Sequence, residues 1–204
     1  MPTPQPSLRT PGATRGVRAQ RTTDLIVRTA KQIFLERGFG GTRIEHITEA
    51  CGISRSGFYT YFPTKRDVLL AIGTTTYAAV DDCIAELERI EAPTTGALEG
   101  WVHRYFDLLD EHGAFILVWN QASAEDDDLR LAGRRSIVHH GRRVGAALSR
   151  LGDGSTDGEL SAGLALLALL DRYWSIVELM GAPVSRREAA ATIAVAMRAL
   201  VEDR

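Results

Sequence analysis

An all-α fold is predicted for these 204 residues on three observations. No segment alternates apolar and polar residues with the period of two that a half-buried strand needs. Apolar residues recur instead three and four apart, in run after run. Those runs are bracketed by cap signals, with Ser, Thr or Asp before them and Gly or Pro after. About nine helices are expected, with no internal repeat. Hydrophobic and charged contents of 45% and 25% are those of an ordinary globular chain, long enough to bury a sizeable core. The longest unbroken apolar run, Leu164–Leu170, is too short to span a bilayer. The opening MPTPQPSLRTPGATRGVRAQR lacks the apolar stretch of a secretory signal. Cys51 and Cys83 stand in no metal-binding spacing and suit a reducing compartment. A cytoplasmic location, with no membrane partner, is the expectation.

Residues 1–21 hold four of the seven prolines, four arginines and no acid, which reads as a disordered basic arm. The first helix follows, with Leu25, Ile26, Thr29, Ala30, Ile33 and Phe34 at helical spacing and Gly38 as its stop. Thr42 and Glu45 form a Thr-x-x-Glu capping box for a second helix that buries Ile44, Ile47 and Ala50 and ends at Gly52. Ser54 caps a third, at about 54–61, with room for only two turns before Pro63. Phe58 and Phe62 share its inner side, whereas Tyr59 and Tyr61 lie off that face. Two short helices joined across a glycine make a helix–turn–helix. Arg55, Ser56 and Gly57 form the exposed first turn of its second member, whose amino terminus attracts phosphate. Thr64 and Asp67 cap a fourth, longer helix reaching to about residue 90. Domain boundaries are set at 1–21, 22–68 and 69–204.

Beyond the break EAPTTG, a helix carrying Leu98, Trp101, Val102, Tyr105, Phe106 and Leu109 is expected, then a separate shorter one in AFILVWNQASAED. A longer helix with basic residues along its surface follows, then the loop GDGSTDG, then two last helices parted by Gly181 and Pro183.

Charge is divided unevenly. Residues 1–66 carry a net of +7, and the remainder −9, within an overall −2. A basic first third on an acidic body points to polyanion binding at one end.

The run AKQIFLERGFGGTRIEHITEACGISRSGFYTYFPTKRDVLL resembles the DNA-binding domain of TetR-type transcriptional repressors. The match runs through residues 22–70: a helix ending Phe-x-x-x-Gly-Phe, a Thr before the second helix, Gly-Ile-Ser, then Tyr-x-Tyr-Phe-Pro-x-Lys. The resemblance implies that the third helix enters the major groove. Ser54, Arg55, Ser56 and Gly57 then approach the bases, with Arg55 suited to guanine O6 and N7. Tyr59, Tyr61, Lys65, Thr42 and the start of the second helix fall where phosphates are held. Glu45 departs from the basic residue many members have there, so Glu45 is assigned to the capping box and Arg43 to the contact. For the rest of the chain the resemblance implies a helical ligand-binding and dimerisation domain. Its last two helices would form the dimer interface.

All three tryptophans lie in that second domain, on different helices. Trp101, Tyr105, Trp119, Asp171 and Trp174 are the candidate ligand-binding residues, apolar walls around few polar groups. His103, Asn120 and Arg172 are further polar candidates. Asp171, interrupting LALLALLDRYW, must face water, pair with Arg172 or His103, or meet a ligand. The aromatic set serves equally as plain core.

No catalytic arrangement of Ser/His/Asp or Cys/His can be placed, so no enzyme activity is expected. His139 and His140 lack a third ligand at helical spacing, and the acids of EDDD at 125–128 read as solvated, so no metal or other cofactor is expected. The expected function is a ligand-responsive repressor, binding a palindromic double-stranded operator as a homodimer and released by a small, largely apolar effector. The alternative is a helical small-molecule carrier with a vestigial DNA-binding domain.

Overall fold

A computed structural model of the chain describes residues 11–152 and 158–202. Among these, eight α-helices and no strand occur: α1 Pro11–Gly41, α2 Ile44–Cys51, α3 Arg55–Tyr59, α4 Lys65–Glu88, α5 Thr95–Ser123, α6 Asp127–Leu151, α7 Glu159–Trp174 and α8 Arg186–Glu202. Five π-helical residues, Ser175–Leu179, extend α7. The chain divides into two compact units between Ile72 and Gly73, inside α4.

In the first unit, Ile26, Ala30, Ile33, Phe34, Ile47, Phe58, Phe62, Val68 and Leu69 are buried. Each fully buried Ile, Val, Leu or Phe among them contributes roughly 1.5–3 kcal/mol relative to exposure. Glycine punctuates the unit where expected. Gly38, at φ 69°, breaks the helical path of α1. Gly52, at φ 65°, takes the left-handed conformation after α2, and Ile53 N donates to Thr48 O at 3.0 Å. Nothing lies within 4 Å of where a Cβ on Gly52 would sit. Gly52→Ala is therefore expected to cost only the left-handed penalty, about 1–2 kcal/mol. A urea titration should show a lower midpoint at unchanged slope; an unmoved midpoint would contradict it.

Residues 11–21, expected in the disordered arm, are instead the first turns of α1. Pro11 sits at the first position, where its missing N–H is harmless, and the Ala, Arg and Gln that follow are good helix formers. Residues 1–10 lie outside the described residues, as do residues 153–157 of the GDGSTDG loop.

In the second unit, one core gathers Ile84, Leu87, Leu98, Trp101, Phe106, Leu109, Val144, Leu166, Leu170, Trp174, Ile193 and Met197. The expected fifth and sixth helices are one, α5, capped by Thr94, whose Oγ1 accepts from Ala97 N at 3.2 Å. Gly113 does not break it: a Cβ there would lie 2.5 Å from Trp174 Cη2, so this glycine makes room for an indole. Likewise α6 and α7 touch backbone to backbone, because side chains on Gly145 and Gly163 would run into the carbonyls of Glu159 and Gly141. Helices α4 and Glu159–Leu179 are long and apolar enough to cross a membrane by length and composition. In this fold Val68, Leu69 and Ile84 of the one and Leu166, Leu167 and Leu170 of the other are buried in the cores.

Candidate functional site

Ser54 sits in extended backbone before α3, and its Oγ accepts from Gly57 N at 3.0 Å while meeting Ser56 Oγ at 3.0 Å. Its side chain is thus the helix cap that holds the turn. Phe58 is fully buried and fixes the inner face, leaving Ser54, Arg55, Ser56, Tyr59 and Thr60 exposed and Gly57 and Tyr61 half-buried. The third helix is shorter than the 54–61 predicted, since Thr60 and Tyr61 turn off after α3.

The Arg55 guanidinium is exposed and donates to Glu45 Oε1 at 2.5 Å and to Tyr59 Oη at 3.3 Å. A backbone N–H bond and then the Arg55 charge hold the Glu45 carboxyl below its ordinary range. Exposed pairs of this kind contribute little, so the pair leaves Arg55 available to other acceptors.

The capping of α2 is displaced by one residue. Arg43, not Thr42, is the N-cap, and its N–H donates to His46 Nδ1 at 3.2 Å. Thr42 is 1% exposed, and its Oγ1 donates to Gly38 O at 2.8 Å. Its hydroxyl therefore closes the α1–α2 turn. Glu45, freed from capping, meets Arg55. Lys65 Nζ donates to Phe39 O and Thr42 O, each at 2.7 Å, and lies 4.5 Å from the Phe39 ring centroid. That ammonium ties the start of α4 to the turn before α2. His46 and Thr60, which belong to no sequence motif, also lie at this surface, His46 half-buried and Thr60 exposed.

The five candidate ligand residues are all in the second unit, and the core claims most of their surface. Trp101 is fully buried and donates from Nε1 to Cys83 O at 2.9 Å. Trp174 is 4% exposed and donates to Asp110 Oδ1 at 2.8 Å. Tyr105 donates to Asp171 Oδ1 at 3.0 Å, so Asp171 pairs with neither Arg172 nor His103. Burial pushes the Asp171 carboxyl up to about 6. Trp119 is wedged between Gly73 and Gly133, where a Cβ on either would lie 2.7 Å from its ring, and its buried Nε1 has no hydrogen-bond partner. Asn120 and Arg172 are exposed. An open cleft of about 600 Å³ lies elsewhere, lined by Glu88, Arg142, Arg143, Ala146, Gly158, Glu159 and Leu160.

Two other constellations resolve differently. In EDDD, Asp126 caps α6, its Oδ1 accepting from Asp128 N and Leu129 N at 3.0 Å each. His139 and His140 do have a third potential ligand beside them: Asp81 of α4, 58 residues before His139 in the chain, with its Oδ1 3.0 Å from His139 Nε2. Cys83 offers no nucleophile, since burial pushes its thiol up to about 12.

Residues 26–72 match the family described as bacterial regulatory proteins, tetR family. The transcriptional repressor NicS of Pseudomonas putida is 31% identical over 106 residues, 50% of this chain and 50% of that protein. The uncharacterized regulator YuxN of Bacillus subtilis is 31% identical over 93 residues, 45% of this chain and 32% of that one. The chain thus spans about a third to a half of these relatives' lengths. In fold, it is similar to the TetR-family regulator PfmR of Thermus thermophilus, with a TM-score of 0.66 and 20% identity over 86% of this chain and 96% of that one. A protein of Saccharomonospora viridis in complex with choline superposes with a TM-score of 0.68 and 20% identity, covering 88% of this chain and 94% of that one.

Proposed function

We propose that this chain, which belongs to the TetR family of transcriptional regulators, is a cytoplasmic, non-enzymatic repressor. It binds a palindromic operator as a homodimer and lets go when a small, largely apolar effector binds. The observation that carries this reading is the exposed turn Ser54–Tyr59, its inner face anchored by buried Phe58 and its guanidinium free to leave Glu45.

Arg55 is the base reader, and Ser56 and the Gly57 backbone approach alongside it. Arg43, Tyr59 and Tyr61 hold phosphates, while Lys65 and Thr42 shape the turn behind them. Two-fold symmetry of a dimer demands a two-fold operator. The dimer face in this reading is the exposed side of α7 and α8. Leu169 and Val195 are 36% and 62% exposed there, with Ala165 and Ala168 beside Leu169. Ala189, Ala190 and Ala194 are fully buried in the chain's own core and do not belong to that face.

The effector site is the ground around Trp101, Tyr105, Trp119, Asp171 and Trp174, with Asp171 and the unpartnered Trp119 Nε1 as its polar points. The choline complex is a precedent for a small molecule in this fold. An effector releases DNA only by binding the released state more tightly, and switching from 1:99 to 99:1 takes about a 10⁴-fold preference.

A gel shift over sequence-randomised palindromes tests the reading. Arg55→Ala is expected to cost about 1–3 kcal/mol at one base-pair position per half-site and to relax preference there alone. A uniform loss over all sequences would remove Arg55 from base reading, and no shift with the parent chain would favour a carrier.

A further inference from the structure

Asp81 on α4 and the adjacent His139 and His140 on α6 bring together one carboxylate and two imidazoles, with a ligand atom from each lying within 4.8 Å of the other two. Asp81 Oδ1 is 3.0 Å from His139 Nε2 and 3.8 Å from His140 Nε2. Ligands about 2.0–2.2 Å from a tetrahedral zinc ion stand roughly 3.3 Å apart. Small side-chain rotations would bring these three atoms to that spacing.

His140 is the residue that points to an ion. It is 4% exposed, and its Nε2 has no hydrogen-bond partner. A buried polar atom of this kind is seldom left unpaired. Its other nitrogen, Nδ1, faces Ser136 Oγ at 3.5 Å. With the proton on Nδ1 and shared toward that hydroxyl, the lone pair sits on Nε2 and faces Asp81. This is the outer-shell arrangement that orients metal-binding imidazoles. The Tyr77 ring packs on His140 with centroids 4.6 Å apart and closes another side.

Arg143 pairs with Asp81, but it also forks onto Glu88, with Nε to Oε1 at 2.8 Å and Nη2 to Oε2 at 2.7 Å. Two carboxylates thus face one guanidinium.

We infer that Asp81, His139 and His140 form a binding site for a divalent first-row transition metal, zinc being the type case, with the fourth position open to water or an exogenous ligand. Two imidazoles and a carboxylate suit such metals better than magnesium or calcium, which take all-oxygen sets. The ion would tie α4 to α6 within the second unit. This inference is independent of the DNA-binding reading, since metal binding is measured without DNA.

The test uses the full chain, stripped with chelator and titrated with Co²⁺ alone while its visible d–d absorption is followed, then with Zn²⁺ as competitor. One equivalent of tetrahedral Co²⁺, displaced by Zn²⁺, is expected. His139 is the exposed ligand, so His139→Ala leaves the fold intact. That variant should bind more weakly by at least the ~10–100-fold that an outer-shell partner is worth, and Ser136→Ala by an amount within that range. Zn²⁺ should raise the melting temperature of the parent and not of His139→Ala. Absent Co²⁺ binding, or equal binding by the parent, His139→Ala and Asp81→Asn, would overturn the inference and leave the cluster an ion-pair network only.

Discussion

Replacing Asp171 by asparagine is expected to stabilise the protein at pH 7 by on the order of 2–3 kcal/mol and to leave it unchanged near pH 4. The reason is burial, which pushes this carboxyl from 3.8 up to about 6, against the smaller downward pull of the Tyr105 hydroxyl. Between those values the native state keeps its proton while the unfolded chain has lost it. The unfolded state therefore binds fewer protons, and stability falls as pH rises from about 4 to about 6. Above that window the loss is complete and constant. Asparagine keeps an acceptor for Tyr105 and carries no charge. Denaturant unfolding of both proteins at pH 4 and pH 7 gives the answer, and a difference equal at the two values would contradict it. In the proposed function, this carboxylate facing a buried tyrosine is where a polar effector group meets the protein. In the proposed function, Asp171→Asn should also blunt the response to an effector while leaving operator affinity in its absence intact.

Gly163→Ala is expected to destabilise by about 3 kcal/mol or more, the upper end of what overpacking costs. An alanine Cβ would run into Gly141 O and stand 2.7 Å from Gly145 N and 2.8 Å from Gly141 C. All three obstacles are backbone, so no rotamer change relieves them and α6 and α7 must separate. The helix-propensity gain of alanine over glycine, about 1 kcal/mol, is smaller. Gly100→Ala is the control, because its only close neighbour is the flexible end of Arg104 at 3.9 Å. It should stabilise by about 0.5–1 kcal/mol. If both variants unfold at one urea midpoint, the close approach of α6 and α7 is not a constraint.

Much of the first unit was legible because its signals are local. Gly38 and Gly52 occupy left-handed φ values of 69° and 65° where helix stops were expected. Ser54 caps α3, and Phe58 and Phe62 face inward. One difference there was one residue wide. Thr42 and Glu45 have the spacing of a capping box, but Thr42 is buried with its hydroxyl spent on Gly38 O, and Arg43 with His46 takes over. Capping preference among neighbouring residues is worth only about 1 kcal/mol, so burial of one methyl-bearing side chain can decide it.

In the second unit, composition determined less. The sequence by itself set the all-α class, the divided charge, the helix–turn–helix and the aromatic richness of the later helices, since each depends on periodicity or on near neighbours in the chain. Only tertiary structure decided what distant residues do to one another. Gly113 reads as a helix break until Trp174 is seen against it, and α5 runs on. Three tryptophans look alike as letters, yet Trp101 and Trp174 satisfy their indole N–H on Cys83 O and Asp110, whereas Trp119 does not. Asp171 could have met a base, water or a ligand, and it met Tyr105, 66 residues away. His139 and His140 lacked a third metal-binding group on their own helix and found Asp81 on another. Helical periodicity fixes which side of a helix a residue occupies; which residue of another helix stands opposite follows from side-chain volumes meeting at packed interfaces, and that is settled only when the helices pack.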